Sequence, residues 1–308
     1  MLPIHQLAPV LCAQHGFIAA MYALVLQAAT QARGSMKMRR LQGLYHSDDL
    51  TVIGGAAYSL YSYQFGLPPM ETRDIDMVWW ASRLVSNDDL LRLSQTFAQS
   101  LYEMANRTEI RESLRKVIAR FRQQEDVPEV YVEVSTPIIR MDNHNIVKQI
   151  SIKLTLLMGR EQLTNLCDIT LHNGLNSQVE GLDAAESDPT YCDQRPHYTG
   201  IMGITRVPLL HRFLNQQLFA HMVLSYAYSD LPSSERQPRA NKCLRRVLHL
   251  GRSAMEHTRH VVDNSLRMYL YGVLASSCHQ ESFVEMLESA VKGEHFPQTQ
   301  QAIRMYRS

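Results

Sequence analysis

Hydrophobic and polar positions follow two regimes along the chain. Before about residue 200, short β-branched runs are interleaved with helical spacing; from about Val207 the spacing is helical only. Residues 10–33 predict one helix ending near Gly34, with a second short helix following the basic stretch Lys37 to Arg40. Thr51-Val52-Ile53 is short, β-branched and apolar, as a buried strand is. Gly54-Gly55 then stops it, and Ala56 to Phe65 has the composition of a helix. A second strand is expected from Asp74 through Trp80. Ser86 to Asp89 reads as an N-cap with acidic first-turn residues, leading a helix over Leu90 to Met104, and a more polar helix covers about 108–124.

Val130 to Val134 alternates as a half-exposed strand does. Val147 to Leu156 alternates more regularly, with Val147, Gln149, Ser151, Lys153 and Thr155 on one face and Lys148, Ile150, Ile152, Leu154 and Leu156 on the other. A turn or short helix at Gly159–Gln162 leads to a strand over Leu166 to Leu171, stopped by Asn173-Gly174. Residues 175–200 read as a long loop. Beyond it, Leu209 to Ala227 is a helix, Asp230 to Gln237 a linker, and Pro238 sits at the first turn of a helix over Arg239 to His260, with two or three helices after it. The pattern predicts an α+β domain over residues 1–200, built on a mixed sheet with helices, and an all-helical domain over 201–308.

Composition narrows the function classes. The 308 residues are 45% hydrophobic and carry a net charge of +1, so a real core is expected and no global basic field advertises nucleic acid. Basic residues are nevertheless clustered. Arg236, Arg239, Lys242, Arg245, Arg246, Arg252 and Arg259 face Glu256 alone, and Arg107, Arg111, Arg115, Lys116, Arg120 and Arg122 are diluted by Glu109 and Glu112. Local basic surfaces suit phosphates, and solvated helix faces explain them equally. Cys12, Cys167, Cys192, Cys243 and Cys278 are widely spaced, which argues against a disulfide scaffold or a zinc ribbon and fits a reducing compartment. Ala8 to Ala29 is apolar-rich, but Gln14, His15 and Gln27 interrupt it, so a core helix is expected rather than a signal or a membrane span.

The chemistry-bearing residues lie around the diglycine. A Gly-Gly turn between strand and helix lets backbone N–H groups approach an anion, with the helix N-terminus behind them; Ser59, early in that helix, could add a hydroxyl. Asp74 and Asp76 alternate with Ile75, so both point to one side of their strand. Two adjacent carboxylates repel, and a hard divalent cation such as Mg²⁺, itself holding phosphates, is the ordinary remedy. A solvated strand end with two chance aspartates is the plain alternative, weakened by the preceding turn. Asp168 stands in an otherwise apolar strand, where an unpaired carboxylate is costly. Glu133, in Val130-Tyr131-Val132-Glu133-Val134, is the second candidate for a third carboxylate.

Strand, Gly54-Gly55, helix with Ser59, then Asp74-Ile75-Asp76 resembles the DNA-polymerase-β-type nucleotidyltransferase superfamily. The eighteen residues between Gly55 and Asp74, with Thr72-Arg73-Asp74-Ile75-Asp76, most resemble the poly(A) polymerase catalytic subunits of poxviruses and related large DNA viruses. That resemblance implies two Mg²⁺ (or Mn²⁺) ions on Asp74, Asp76 and Asp168, the last in an Asp-Ile-Thr context similar to the family's third carboxylate. It implies a nucleotide held by Gly54, Gly55 and Ser59, with Lys242, Arg245 and Arg246 of the helical region over the triphosphate. It further implies ATP as donor, a single-stranded RNA 3′ end as acceptor and a homodimer or processivity subunit as partner; the lack of a signal or span and the unpaired cysteines lead to the expectation of no membrane and a cytoplasmic location (viral factory or virion if viral). The same motif serves relatives that modify a protein, a small molecule or a tRNA end, and relatives that are non-catalytic RNA-binding or interaction subunits.

Overall fold

A computed structural model describes residues 4–35, 45–70, 72–81, 84–124, 127–159, 161–173, 199–202, 204–225, 232–275 and 280–308. The expected short helix near Lys37–Arg40 and nearly all of the expected loop at 175–200 lie outside the described residues. The chain forms two units: the first contains every strand described below and the helices before Leu210 apart from residues 61–64, and the second contains residues 61–68 and the helices from Leu210 onward.

The expected single N-terminal helix is two, α1 (Ile4–Leu11) and α2 (His15–Gly34). The chain turns between them because Cys12 is buried there, its thiol reaching the Leu166 carbonyl at 3.6 Å, while the Gln14 N–H bonds back to Leu11. Phe17, Ile18, Met21, Tyr22, Val25, Ala28, Ala29 and Ala32 form the buried stripe of α2, and the Tyr22 hydroxyl donates to the Leu50 carbonyl at 3.0 Å. That bond fastens α2 to β1 (Tyr45–Val52), a strand that begins well before the predicted apolar run. Helix α3 (Gly54–Gln64) follows, then β2 (Ile75–Ala81), α4 (Asn87–Ala105), α5 (Thr108–Arg122), β3 (Val130–Val134), β4 (Ile138–Met141), β5 (Val147–Met158) and β6 (Glu161–His172). The predicted cap of α4 is present: Asp89 N–H donates to Ser86 Oγ at 3.2 Å.

The sheet order is β1-β2-β6-β5-β3, with β4 also pairing β5. Only β2 and β6 run parallel; β1 on β2, and β6, β3 and β4 on their partners, are antiparallel. No short helix precedes β6 among the described residues: Met158 of β5 already pairs antiparallel with Glu161, so β6 starts five residues earlier than predicted. Strand β4 was not predicted at all. Its four residues are exposed on both faces, so no alternation marks it.

One face of the sheet is buried along its length, and the other is buried too beyond the aspartates, at Val78, Trp80 and Thr170. Ile75, Met77 and Trp79 of β2, Cys167, Ile169 and Leu171 of β6, and Ile150, Ile152, Leu154 and Leu156 of β5 are all buried. Trp79 packs edge-on to Tyr45 and at a tilt to Phe97 of α4, each 5.2 Å between ring centroids. Alternation places Asp76, Asp168, Ser151 and Lys153 on the opposite face. Arginines of α5 are spent on structure: Arg111 pairs with Glu129 and donates to the Val130 carbonyl, and Arg115 donates to the Val127 carbonyl at 2.7 Å. Beyond the sheet, β7 (Thr199–Met202) and β8 (Thr205–Pro208) form a two-stranded ladder, with β8 packed on β1.

Buried Asn173 locks three segments of the first unit together. Its Oδ1 accepts from the Val85 N–H at 2.8 Å, and its Nδ2 donates to the carbonyls of Val85 at 3.0 Å and Val147 at 2.7 Å. These bonds fix where β2, β5 and β6 end relative to one another.

The second unit consists of α6 (Leu210–Ser225), α7 (Ser233–Leu250), α8 (Glu256–Ala275), α9 (Gln280–Val291) and α10 (Pro297–Arg307). Residues 233–237, expected as linker, already belong to α7, and the helix expected to reach His260 stops at Leu250. The residue after the helix must be glycine: a Cβ on Gly251 would lie 2.4 Å from Cζ of Phe296, and the ring occupies the space a side chain would need. Buried Asp263 caps α10 from outside, accepting from the N–H groups of Gln298 and Thr299, both at 2.9 Å. Among the described residues no helix is long and apolar enough to cross a membrane.

Asn173→Ala is expected to cost roughly 2–4 kcal/mol, because it leaves several buried backbone groups unpaired at once. Urea unfolding of the variant checks this; an unchanged midpoint would show that the three segments hold together without it.

Candidate active site

Parallel pairing of β2 with β6 places Asp76 directly opposite Asp168, and alternation puts both side chains on the polar face. Asp74 lies just before β2, where the Thr72 hydroxyl donates to its carbonyl at 3.2 Å. All three carboxylates are part-exposed, set in strands whose other face is fully buried. Asp168 also meets a cation: Nζ of Lys153, opposite it on β5, stands 3.6 Å from Oδ2.

The strand-to-helix turn is built against the same carboxylates. The Ile53 N–H bonds to the Asp76 carbonyl at 2.9 Å, so the start of α3 is held to β2. Gly54 has φ +60°, and a Cβ on it would lie 2.6 Å from Asp76 Oδ2. Both its conformation and its contact demand glycine. The N–H groups at Gly54, Gly55 and Ala56 begin the helix and have no carbonyl within it to bond, which leaves donors for an anion beside the aspartates. Gly55 is buried, and the rest of α3 through Ser62 is buried nearly all round.

Electrostatics mark the cluster. Burial, with Asp74 adding to it, raises the Asp168 carboxyl above its ordinary value against the opposing pull of Lys153. Asp168 Oδ1 is buried with no hydrogen-bond partner among the described residues. Burial, then Asp74 and Asp76, pushes the Cys12 thiol up to about 12, and burial chiefly, with Asp168 next, raises Cys167 well above its usual range. Both cysteines are therefore protonated packing groups beneath the acidic face.

The structure thus sets Asp76 opposite Asp168 and Gly54 against Asp76, with Asp74 close enough to act on Asp168. Glu133 is elsewhere: it is exposed on β3, paired with Thr155 and separated from β6 by β5. Ser59 is buried and turns its hydroxyl back on its own helix, donating to the Gly55 carbonyl at 3.1 Å. Lys242, Arg245 and Arg246 lie on α7 of the second unit. There Arg245 is exposed and Lys242 half-buried, while buried Arg246 donates to Gln217 Oε1 at 3.2 Å. Lys153 was not singled out from sequence. Its place on the polar face of an alternating strand was visible, but its partner depends on strand register.

Three hard carboxylate oxygen donors, one with an orphaned buried oxygen, suit a divalent cation. Among the described residues no three His, Cys, Asp or Glu side chains are arranged to hold a metal ion as they stand.

No family model and no curated protein matches the chain. Among solved structures, one described as "putative nucleotidyltransferase from H. pylori" superposes with a TM-score of 0.29 at 9% identity, covering 94% of this chain and 96% of the other. A superposition at 0.29 does not establish a shared fold.

Two outcomes follow from this geometry. Gly54→Ala is expected to lose about 1–3 kcal/mol, from a left-handed alanine and a displaced Asp76 carboxylate, measured by thermal or urea unfolding. For Asp168 the folded-state pKa lies above the unfolded one, so its ionised form destabilises the fold at neutral pH, and this penalty is absent once pH falls below the unfolded carboxylate range. Asp168→Asn should therefore melt a few degrees above the native protein at neutral pH, with the difference closing on acidification. Equal melting temperatures at neutral pH would show that Lys153 fully offsets the burial.

Proposed function

We propose that this chain is a metal-dependent nucleotidyltransferase, adding AMP from ATP to the 3′ end of RNA without a template. The observation that carries the reading is the in-register pair Asp76 and Asp168, with Asp74 beside it, facing a positive-φ glycine turn at the N-terminus of a buried helix. A phosphate with its cations needs both halves of that arrangement: acidic oxygens on one side, backbone donors on the other.

Asp74, Asp76 and Asp168 would hold Mg²⁺ (or Mn²⁺), which when bound supplies neutralising charge for the phosphates and acidifies the attacking hydroxyl. The protein's own groups do the rest. N–H groups at Gly54 and Gly55 bind a non-bridging phosphate oxygen and hold the triphosphate in line. Asp168 would accept the 3′-hydroxyl proton. The 3′ oxygen bonds to the α-phosphorus, the bond from that phosphorus to the bridging oxygen breaks, and pyrophosphate leaves with the electron pair. Catalysis of this kind rests on positioning and charge rather than on a covalent enzyme intermediate.

The choice of ATP and of an RNA end is supported by the resemblance of Thr72-Arg73-Asp74-Ile75-Asp76 and its spacing to the viral poly(A) polymerases. A second copy or a processivity subunit would extend the grip on RNA.

The test is extension of a 5′-labelled single-stranded RNA with Mg²⁺ or Mn²⁺ and each of ATP, CTP, GTP and UTP in turn. ATP alone should give a ladder, and Asp76→Ala should reduce it at least about 100-fold, the scale of losing one preorganised electrostatic contact. Extension retained in both Asp74→Ala and Asp76→Ala would overturn the assignment. Label appearing only on a protein, a small molecule or a tRNA would keep the chemistry and replace the acceptor.

A further inference from the structure

We infer that Lys153 is an anion-binding residue of this site, holding Asp168 in the resting protein and passing its ammonium to a nucleotide phosphate when the substrate arrives. The inference rests on the nucleotidyltransferase reading and adds a residue that the sequence motif does not contain.

Strand register places it. Asp76, Asp168 and Lys153 are successive cross-strand neighbours on β2, β6 and β5, on one face of the sheet, so the row runs acid, acid, base. The neighbours of Lys153 on its own strand are committed. Thr155 donates to Asn165 Oδ1 at 3.1 Å, the Ser151 and Thr170 hydroxyls bond at 3.2 Å, and Gln149 is buried. Lys153 alone of these keeps its polar end accessible, with its side chain 39% exposed. The backbone beneath it is pinned: its N–H donates to Ser135 Oγ at 3.0 Å, and its carbonyl accepts from the Ser135 N–H at 2.9 Å. A fixed base and a reachable tip are what a ligand-binding lysine needs.

The resting contact is also a loose one. At 3.6 Å, Nζ and Asp168 Oδ2 form an ion pair at the outer edge of hydrogen-bond range, and a part-exposed pair of this kind exchanges partners readily. A phosphate entering beside Asp168 brings more negative charge than one carboxylate, and cations drawn to the aspartates compete with the ammonium for Asp168 itself. Both changes push Lys153 toward the phosphate. Exposed Arg140, close enough to act on Asp168, adds positive potential on the same side.

The two roles pull metal and nucleotide affinity in opposite directions, which makes them separable. Mn²⁺ alone, and ATP in the presence of Mn²⁺, would be titrated calorimetrically into the native chain, Lys153→Met, Lys153→Arg and Asp76→Asn. Lys153→Met should bind Mn²⁺ as tightly as the native chain or tighter, since a competing cation is gone. It should bind ATP with Mn²⁺ roughly tenfold more weakly, and Lys153→Arg should recover most of that loss because it keeps the charge. Unchanged ATP affinity in Lys153→Met would overturn the inference and leave Lys153 as a counter-ion only; a loss that Lys153→Arg fails to restore would do the same. If the native chain binds Mn²⁺ and ATP no better than Asp76→Asn does, the nucleotidyltransferase reading itself fails and takes this role with it. Thermal melting of each variant confirms that the fold is intact before affinities are compared.

Discussion

Everything at the polar face depends on one constraint: β2 and β6 lie parallel in a register that sets Asp76 against Asp168. Ionised carboxylates on neighbouring strands repel, because each disfavours the charged form of the other. Asp74 adds a third negative charge, and Asp168 is further penalised by burial. A fold does not keep such a group for its own stability. The repulsion is tolerated because the pairing is fixed from elsewhere, and Lys153 offsets part of it at Asp168.

What fixes the pairing is the other face of the same strands. Residues of β2 and β6 that alternate with the aspartates are fully buried, and Trp79, wedged between Tyr45 and Phe97, is the largest of them. A slip of one residue between β2 and β6 would turn the apolar set outward and the aspartates into the core, so hydrophobic burial enforces a register that electrostatics opposes. Asn173 ties the ends of three strands, and the Ile53 to Asp76 backbone bond draws the helix start to the same point. Gly54 completes the approach, since any side chain there would displace the Asp76 carboxylate.

The basic residues divide by what they touch. Arg111 and Arg115 bind α5 to the segment that enters β3, Arg239 pairs with Glu235, Arg252 with Glu294, and Arg246 is buried against Gln217. These arginines serve helix packing, which explains how a basic cluster in the sequence need not be a nucleic-acid surface. Lys153 differs: it reaches the acidic row from a neighbouring strand and retains an exposed tip.

The sequence alone determined the local events. Strand, diglycine and helix, the alternation that aims Asp74 and Asp76 together, the Ser86 cap and the change from mixed to helical architecture all follow from short-range periodicity and turn chemistry. Where local pattern misled, a distant contact was responsible. Cys12 docking on β6 breaks the N-terminal helix, and β4, exposed on both faces, carries no alternation to read. The site followed the same division. That Asp168 was an expensive carboxylate in an apolar strand was legible, as was the polar face that bears Lys153. Which strand lies beside β2, in what register, and therefore that Asp168 rather than Glu133 joins the aspartates and Lys153 stands next to it, was decided by the tertiary structure. Strand pairing joins residues nearly a hundred positions apart, and the free energy that selects the partner is the burial of the whole apolar face, a quantity no local stretch of sequence contains.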